Sequence, residues 1–380
     1  MNEAERMRPA VAALGAVTSL GKDWPTTWQA LLRGARSSVL FADFDTPRSL
    51  HVPDEVPVSA IPELERSLTS DGCGAAGRLV RSVLEQITLP GLGVIRLYGA
   101  SNHSETDILL CLSQNEAAPS SLWRALLIDA MPDSLSWNLG TWVYSACTSS
   151  SHALAAALLD FADGESQDAI VVSADALSSI AVAGFWRAQA TTHKTCTPFQ
   201  EQRDGILIGE GAAGLRLRPP SRTSDGQIHL LGIGMSCDAG HPTDPDPTGT
   251  WLEQAIYDAI NWAGFSPQDL RGIVSHGTGT KKNDAIEASV YHRIWPNAEV
   301  PITSIKGAIG HTMGAAGLCN VLVAVEASRT GLLPPTVSNG SNSIEGIDLV
   351  RDSARQIEVG APVLAVASGF GGNNFACIVG

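Results

Sequence analysis

The sequence predicts an α/β protein built on substantially parallel sheets, and three observations carry that prediction. Short apolar runs rich in β-branched residues alternate with longer Ala- and Leu-rich stretches that suit helices. The strand candidates are continuously apolar, as in Ala169-Ile-Val-Val-Ser-Ala174, which marks strands covered on both faces. Glycine is abundant, 37 of 380 residues, and suits the tight turns that pass from strand to helix.

Residues 10–17 read as a first strand and 24–32 as a helix, followed by a Pro-containing loop region over 36–65. A helix over 78–86 leads to strands at 94–100 and 107–112 and a helix at 120–130. Residues 141–146 are rich in β-formers, and 149–161 form an Ala/Leu helix whose leading hydroxyl residues suit an N-cap. A strand at 169–174 and a strand pair over 206–217, around Gly209-Glu210-Gly211, close the first half. Residues 218–226 are turn-rich and divide the chain into halves 1–218 and 219–380. The second half repeats the rhythm: strand 230–235, helix 251–263, strand 272–275, helix 285–294, strand 300–305, helix 314–329, and strands at 363–368 and 375–379.

Composition excludes several classes. The net charge of −14 and the lack of a basic stripe argue against nucleic-acid binding. No run of eighteen apolar residues exists, so no membrane span is expected. The apolar run at 10–17 follows Glu3 and Glu5 and is interrupted by Gly15, so it reads as a strand and not a signal peptide. Seven cysteines lie scattered without CxxC pairs, which predicts a reducing cytoplasm and neither a disulfide framework nor a zinc site.

Four segments carry chemistry. Cys147 sits between a strand and a helix N-terminus, where the macrodipole and free N–H groups favour thiolate; alone, it is equally compatible with a small core residue. Ser275-His276-Gly277-Thr278-Gly279-Thr280 puts a histidine at a strand end, beside glycines that let a ligand approach and hydroxyls that suit a polar chain. In Ser304-Ile-Lys306-Gly-Ala-Ile-Gly310-His311-Thr-Met-Gly314-Ala-Ala-Gly317, Lys306 and His311 can point into one cavity, and the Gly-Ala-Ala-Gly suits close helix packing. Ser368-Gly-Phe370-Gly-Gly372-Asn-Asn374 offers backbone N–H groups at a turn, where an oxyanion could be held.

In this order the segments resemble the Cys-His-His branch of the β-ketoacyl-acyl-carrier-protein synthases. Thr197-Pro-Phe199, Arg203-Asp204-Gly205, Gly209-Glu210-Gly211 and Asp238 with His241 and Pro242 add to the likeness, which runs from about residue 10 to the C-terminus. The resemblance implies a thiolase fold, five layers αβαβα from two similar halves. It implies that Cys147 takes an acyl group as a thioester, with the N–H groups of Cys147 and Phe370 as the oxyanion hole. His276 and His311 would stabilise the enolate formed when a malonyl thioester loses carbon dioxide. Lys306 would help hold His311. Thr278, Thr280 and Phe199 would line the pantetheine and acyl path, and Phe370 would gate it. Substrates would arrive on the phosphopantetheine of an acyl carrier protein or on coenzyme A, with no separate cofactor and no metal. A homodimer, or a heterodimer with a second ketosynthase-like subunit, is the implied assembly.

The chain departs from the pattern at Asn320, where a glutamate is usual, at Gln200, where an aspartate is usual, and over 101–138, which is short and matches poorly. These departures suggest a specialised synthase. A chain-length-factor-like partner subunit would be expected to lack Cys147. An acyltransferase without decarboxylation would not need both histidines and Lys306, but Asn320 keeps that alternative open. Lys281 and Lys282 form a basic pair suited to an acidic carrier protein.

Overall fold

The computed structural model describes residues 8–41, 52–65, 74–88, 94–102, 136–164, 168–219 and 226–380. In chain order the first half contributes β1 (Ala10–Val17), α1 (Trp24–Leu32), β2 (Val39–Leu40), β3 (Pro57–Ser59), α2 (Ala75–Ile87), β4 (Ile95–Ala100), β5 (Trp137–Val143), α3 (Ser149–Ala162), β6 (Ala169–Asp175), α4 (Ser179–Arg187), β7 (Ile208–Gly209) and β8 (Gly211–Arg218). The second contributes β9 (Leu230–Cys237), α5 (Thr250–Ala263), β10 (Gly272–Val274), α6 (Lys281–Ile294), β11 (Pro301–Thr303), the single turn α7 (Lys306–Ile309), α8 (Ala316–Thr330), β12 (Leu332–Leu333), β13 (Asp348–Leu349), β14 (Arg355–Gln356), β15 (Val363–Gly369) and β16 (Asn373–Val379).

The two large sheets share one plan. The first runs β1-β8-β6-β4-β5 and the second β9-β16-β15-β10-β11-β13. In each, the opening strand pairs antiparallel with the closing strand, which pairs antiparallel with the next, and the remaining pairs are parallel.

Side-chain alternation converts these sheets into layers, because successive residues point to opposite faces. On β6, Ala169 and Val171 join a central core with α3 and α8, while Ile170 and Val172 pack under α2. On β15, Val363, Ala365 and Ala367 face the same centre, while Leu364 and Val366 join α5 and α6 outside. The stack is therefore helix, sheet, helix pair, sheet, helices: the five layers expected. Helix α8 explains its own place, since every residue from Ala316 to Ser328 is buried, as a helix apolar all round requires. It meets α3 so closely that a Cβ on Gly317 would lie 2.1 Å from Ser151 Oγ. Ser150 Oγ accepts the Leu318 N–H at 3.0 Å.

Some expectations shift. The strand before Cys147 covers Trp137–Val143 instead of 141–146, because the chain has already left the sheet to form the nucleophile turn. Helix α6 starts at Lys281, directly after the histidine loop. Helix α4, capped by Ser178, had no clear periodicity to announce it. The strand expected at 107–112, the helix at 120–130, and Cys73 and Cys111 lie outside the described residues. No helix among the described residues is long and apolar enough to cross a membrane.

Candidate active site

Cys147 stands on a tight turn between β5 and α3. Ala146 has φ 49°, in the left-handed region that costs a residue with a side chain. The hydroxyls expected to cap α3 hold this turn instead. Thr148 Oγ1 donates to Ser145 O at 2.8 Å, and Ser149 Oγ donates to Ala146 O and accepts the Ser145 N–H, both at 2.7 Å. Thr148 makes no side-chain cap.

The thiol is 5% exposed. Burial pushes it up to about 11, against the opposing pull of the Lys306 ammonium and of hydrogen bonds from the N–H groups of Phe370 and Cys147 itself; Asp175 raises it further. The thiolate expected at a helix terminus is thus not the resting form, because lost solvation outweighs the nearby positive charge and donors. The N–H groups of Phe370 and Cys147 nevertheless both favour negative charge at the sulfur.

The first histidine sits in a loop that β10 and α6 hold taut. Glu287 Oε1 accepts the His276 N–H at 2.9 Å and Oε2 the Gly277 N–H at 2.6 Å. Asp284 accepts the N–H groups of Thr278 at 3.0 Å and of Gly279 at 3.1 Å, and that of Phe199 at 2.8 Å. Gly277 and Gly279 take positive φ, 38° and 81°, which lets these amides turn inward. Both acids escaped the sequence reading. Their spacing, three residues apart on a helix directly after the loop, was the available signal. Burial and Asp284 raise Glu287 to about 7.

The His276 and His311 rings lie 5.4 Å apart, edge to face at 83°. Burial and the Lys306 charge hold both well below the usual imidazole range, so both are neutral at pH 7. The Met313 N–H donates to His311 Nδ1 at 3.0 Å, which leaves the ring proton on Nε2. His276 Nδ1 is buried with no hydrogen-bond partner among the described residues. Lys306 is 2% exposed. Its Nζ donates to the backbone carbonyl of His276, so it holds the first histidine's loop, where the resemblance pointed to His311. Burial lowers its pKa while the Glu287 carboxylate opposes the shift.

Comparison with known proteins follows the same architecture. The Beta-ketoacyl synthase N-terminal domain family matches residues 139–222, and the Beta-ketoacyl synthase C-terminal domain family matches residues 228–339. The chain belongs to the β-ketoacyl synthase family.

Among its relatives, the 3-oxoacyl-(acyl-carrier-protein) synthase 2 of Coxiella burnetii is 27% identical over 406 residues, covering 97% of both chains. The tetracenomycin polyketide synthase ketoacyl synthase alpha subunit of Streptomyces glaucescens is 31% identical over 264 residues, 64% of this chain and 62% of that one. The solved ishigamide ketosynthase/chain length factor superposes with a TM-score of 0.83 at 26% identity, over 98% of each chain.

The remaining residues of this β-ketoacyl synthase fall around that centre. Phe370 brings its backbone N–H near enough to the Cys147 thiol to favour the thiolate. Its ring is 41% exposed and stacks on Phe185 at 5.4 Å. Its turn is held from the 238–242 loop: Gly371 N–H donates to Pro242 O at 2.7 Å, and Asn374 Nδ2 to Asp238 Oδ1 at 2.6 Å. The Thr278 and Thr280 hydroxyls bond each other at 2.9 Å, with Thr280 the more exposed.

Phe199 corrects the expectation. It is fully buried, packed on Tyr291 at 6.5 Å, and presents no surface to a pantetheine or acyl chain. Gln200 is also fully buried, its amide spanning Val337 O and the Asn339 N–H. Asn320 donates to Ser275 O at 3.0 Å and Val366 O at 2.8 Å, tying the histidine strand to β15 without adding charge. Lys282 is paired with Asp244 at 2.6 Å beside a cleft of about 830 Å³ lined by Asp238, His241, Asp246, Trp251 and Ile286.

Proposed function

We propose that this chain is a condensing β-ketoacyl synthase, joining an acyl group held on Cys147 to a malonyl thioester with loss of carbon dioxide. The observation that carries the reading is the pair of neutral, buried imidazoles packed edge to face, with the Lys306 ammonium close enough to act on both rings and on the buried Cys147 thiol. In the first step the Cys147 sulfur attacks the incoming thioester, and its proton leaves on the departing pantetheine thiol. The N–H groups of Cys147 and Phe370 stabilise the oxyanion. In the second, the malonyl C–C bond breaks and its electron pair moves into an enolate. Its oxygen accepts from His311 Nε2–H and from His276; neutral donors suit this task because the charge develops only as carbon dioxide leaves. The enolate carbon attacks the acyl carbonyl, and the bond to Cys147 breaks to release the thiolate, which takes a proton from water to return the thiol.

In this reading Thr278 and Thr280 bind the phosphopantetheine arm, Phe370 gates the acyl path, and Lys306 positions the His276 loop. Acyl carrier protein is the partner, with dimerisation to itself or to a second ketosynthase-like subunit. Residues 1–218 and 219–380 act as one catalytic unit, and the substrate thiols supply the only carrier chemistry. The five free cysteines among the described residues suit a reducing cytoplasm.

The test is intact mass spectrometry of the protein with acyl- and malonyl-carrier protein, alongside Cys147→Ala. An acyl adduct on the parent protein alone, followed by a β-ketoacyl product, is expected. An adduct without decarboxylation would move the assignment to a plain acyltransferase.

A further inference from the structure

Asp175 ends β6 fully buried, and the proposed chemistry makes no use of it. Its carboxylate collects donors from both halves of the molecule. Oδ1 accepts from Ser101 Oγ at 2.6 Å and the Asn102 N–H at 3.1 Å; Oδ2 accepts from Asn102 at 2.9 Å and the Gly314 N–H at 2.7 Å. Ser101 and Asn102 follow β4, whereas Gly314 lies in the turn three residues past His311. The neighbouring Met313 N–H is the one that holds His311 Nδ1.

The fit leaves no slack. A Cβ on Gly314 would lie 2.7 Å from Asp175 Oδ2 and 2.6 Å from the Asn102 nitrogen. An apolar contact would have joined the halves more cheaply, since a buried carboxylate is costly unless well hydrogen-bonded.

We propose that Asp175 is a positioning residue that clips the His311 turn to the nucleophile's half, so that the His311 Nε2–H meets the enolate formed beside Cys147. The inference rests on the condensing reading for the enolate, but the clip itself is a matter of geometry. Asp175 carries a second effect: its charge disfavours the Cys147 thiolate. Loss of the charge therefore acts in opposite directions on two reactions; loosened burial would also quicken alkylation, so the His311 imidazole signals are the deciding readout.

The experiment compares the parent protein with Asp175→Asn and the milder Ser101→Ala. Three quantities are read: malonyl-carrier-protein decarboxylation, Cys147 alkylation by iodoacetamide, and the ¹⁵N imidazole signals of His311. Asp175→Asn should slow decarboxylation about tenfold, part of the ~10²–10³ lost when an oxyanion donor is removed. KM should hold within about twofold, alkylation should quicken, and His311 should populate its other tautomer. Ser101→Ala should move decarboxylation and the His311 signals the same way by a smaller amount, and decides the matter if Asp175→Asn does not fold. Decarboxylation and alkylation falling together, or unchanged His311 signals in both variants, would overturn the proposal. A parent protein that does not decarboxylate, with His311 signals that still shift in Asp175→Asn, would leave the clip standing and overturn the condensing reading instead.

Discussion

Glu287→Gln should flatten the pH dependence of stability, and the size follows from the burial of this acid. Glu287 takes the amides of His276 and Gly277, the Asn283 side chain at 2.7 Å and the Tyr291 hydroxyl at 2.8 Å. Burial and the neighbouring Asp284 still raise it from 4.5 to about 7. The folded protein keeps this proton where the unfolded chain has released it. Across that window the unfolded state binds fewer protons, so stability is greatest below 4.5 and falls as pH rises to about 7. A shift of this size corresponds to about 3 kcal/mol. Glutamine cannot ionise and lacks the slope. At ~2.1 cal/mol/K of unfolding entropy per residue, 3 kcal/mol is roughly 4 °C for a chain of 380 residues. Thermal unfolding of both proteins between about pH 5 and 8 should show the variant gaining that much relative to the parent as pH rises. Parallel curves, or a variant that loses stability relative to the parent as pH rises, would mean that Glu287 is ionised throughout and would refute the reasoning.

Two further outcomes test the same physics elsewhere. Alkylation of Cys147 should climb about tenfold per pH unit without a plateau near neutrality, because the thiol sits at about 11; Lys306→Met should slow it, and a plateau near pH 8 would contradict this. Gly234→Ala would place a Cβ 1.9 Å from Ala255 O, forcing β9 away from α5. It should cost about 1–3 kcal/mol or more, read as a lower unfolding temperature.

The local plan of this chain was legible in its residues. Strands such as Ala169–Asp175 and Val363–Gly369 are buried on both faces, and a sequence with no polar alternation states that within a few positions. The two-half rhythm, the long helix Ala316–Thr330, and the order of Cys147, His276, Lys306 and His311 were likewise readable, because periodicity and turn chemistry act over short windows.

What the sequence could not decide depends on solvent exclusion and on partners distant in the chain. Whether Cys147 rests as thiol or thiolate turned on burial, which no local helix dipole can reveal. Phe199 belongs to the core because α6 folds over it. The anchor of the His311 turn is a carboxylate 139 residues away, at Asp175. Such contacts exist only once the two sheets close on the central helices, and there a buried charge must find its donors wherever the fold brings them.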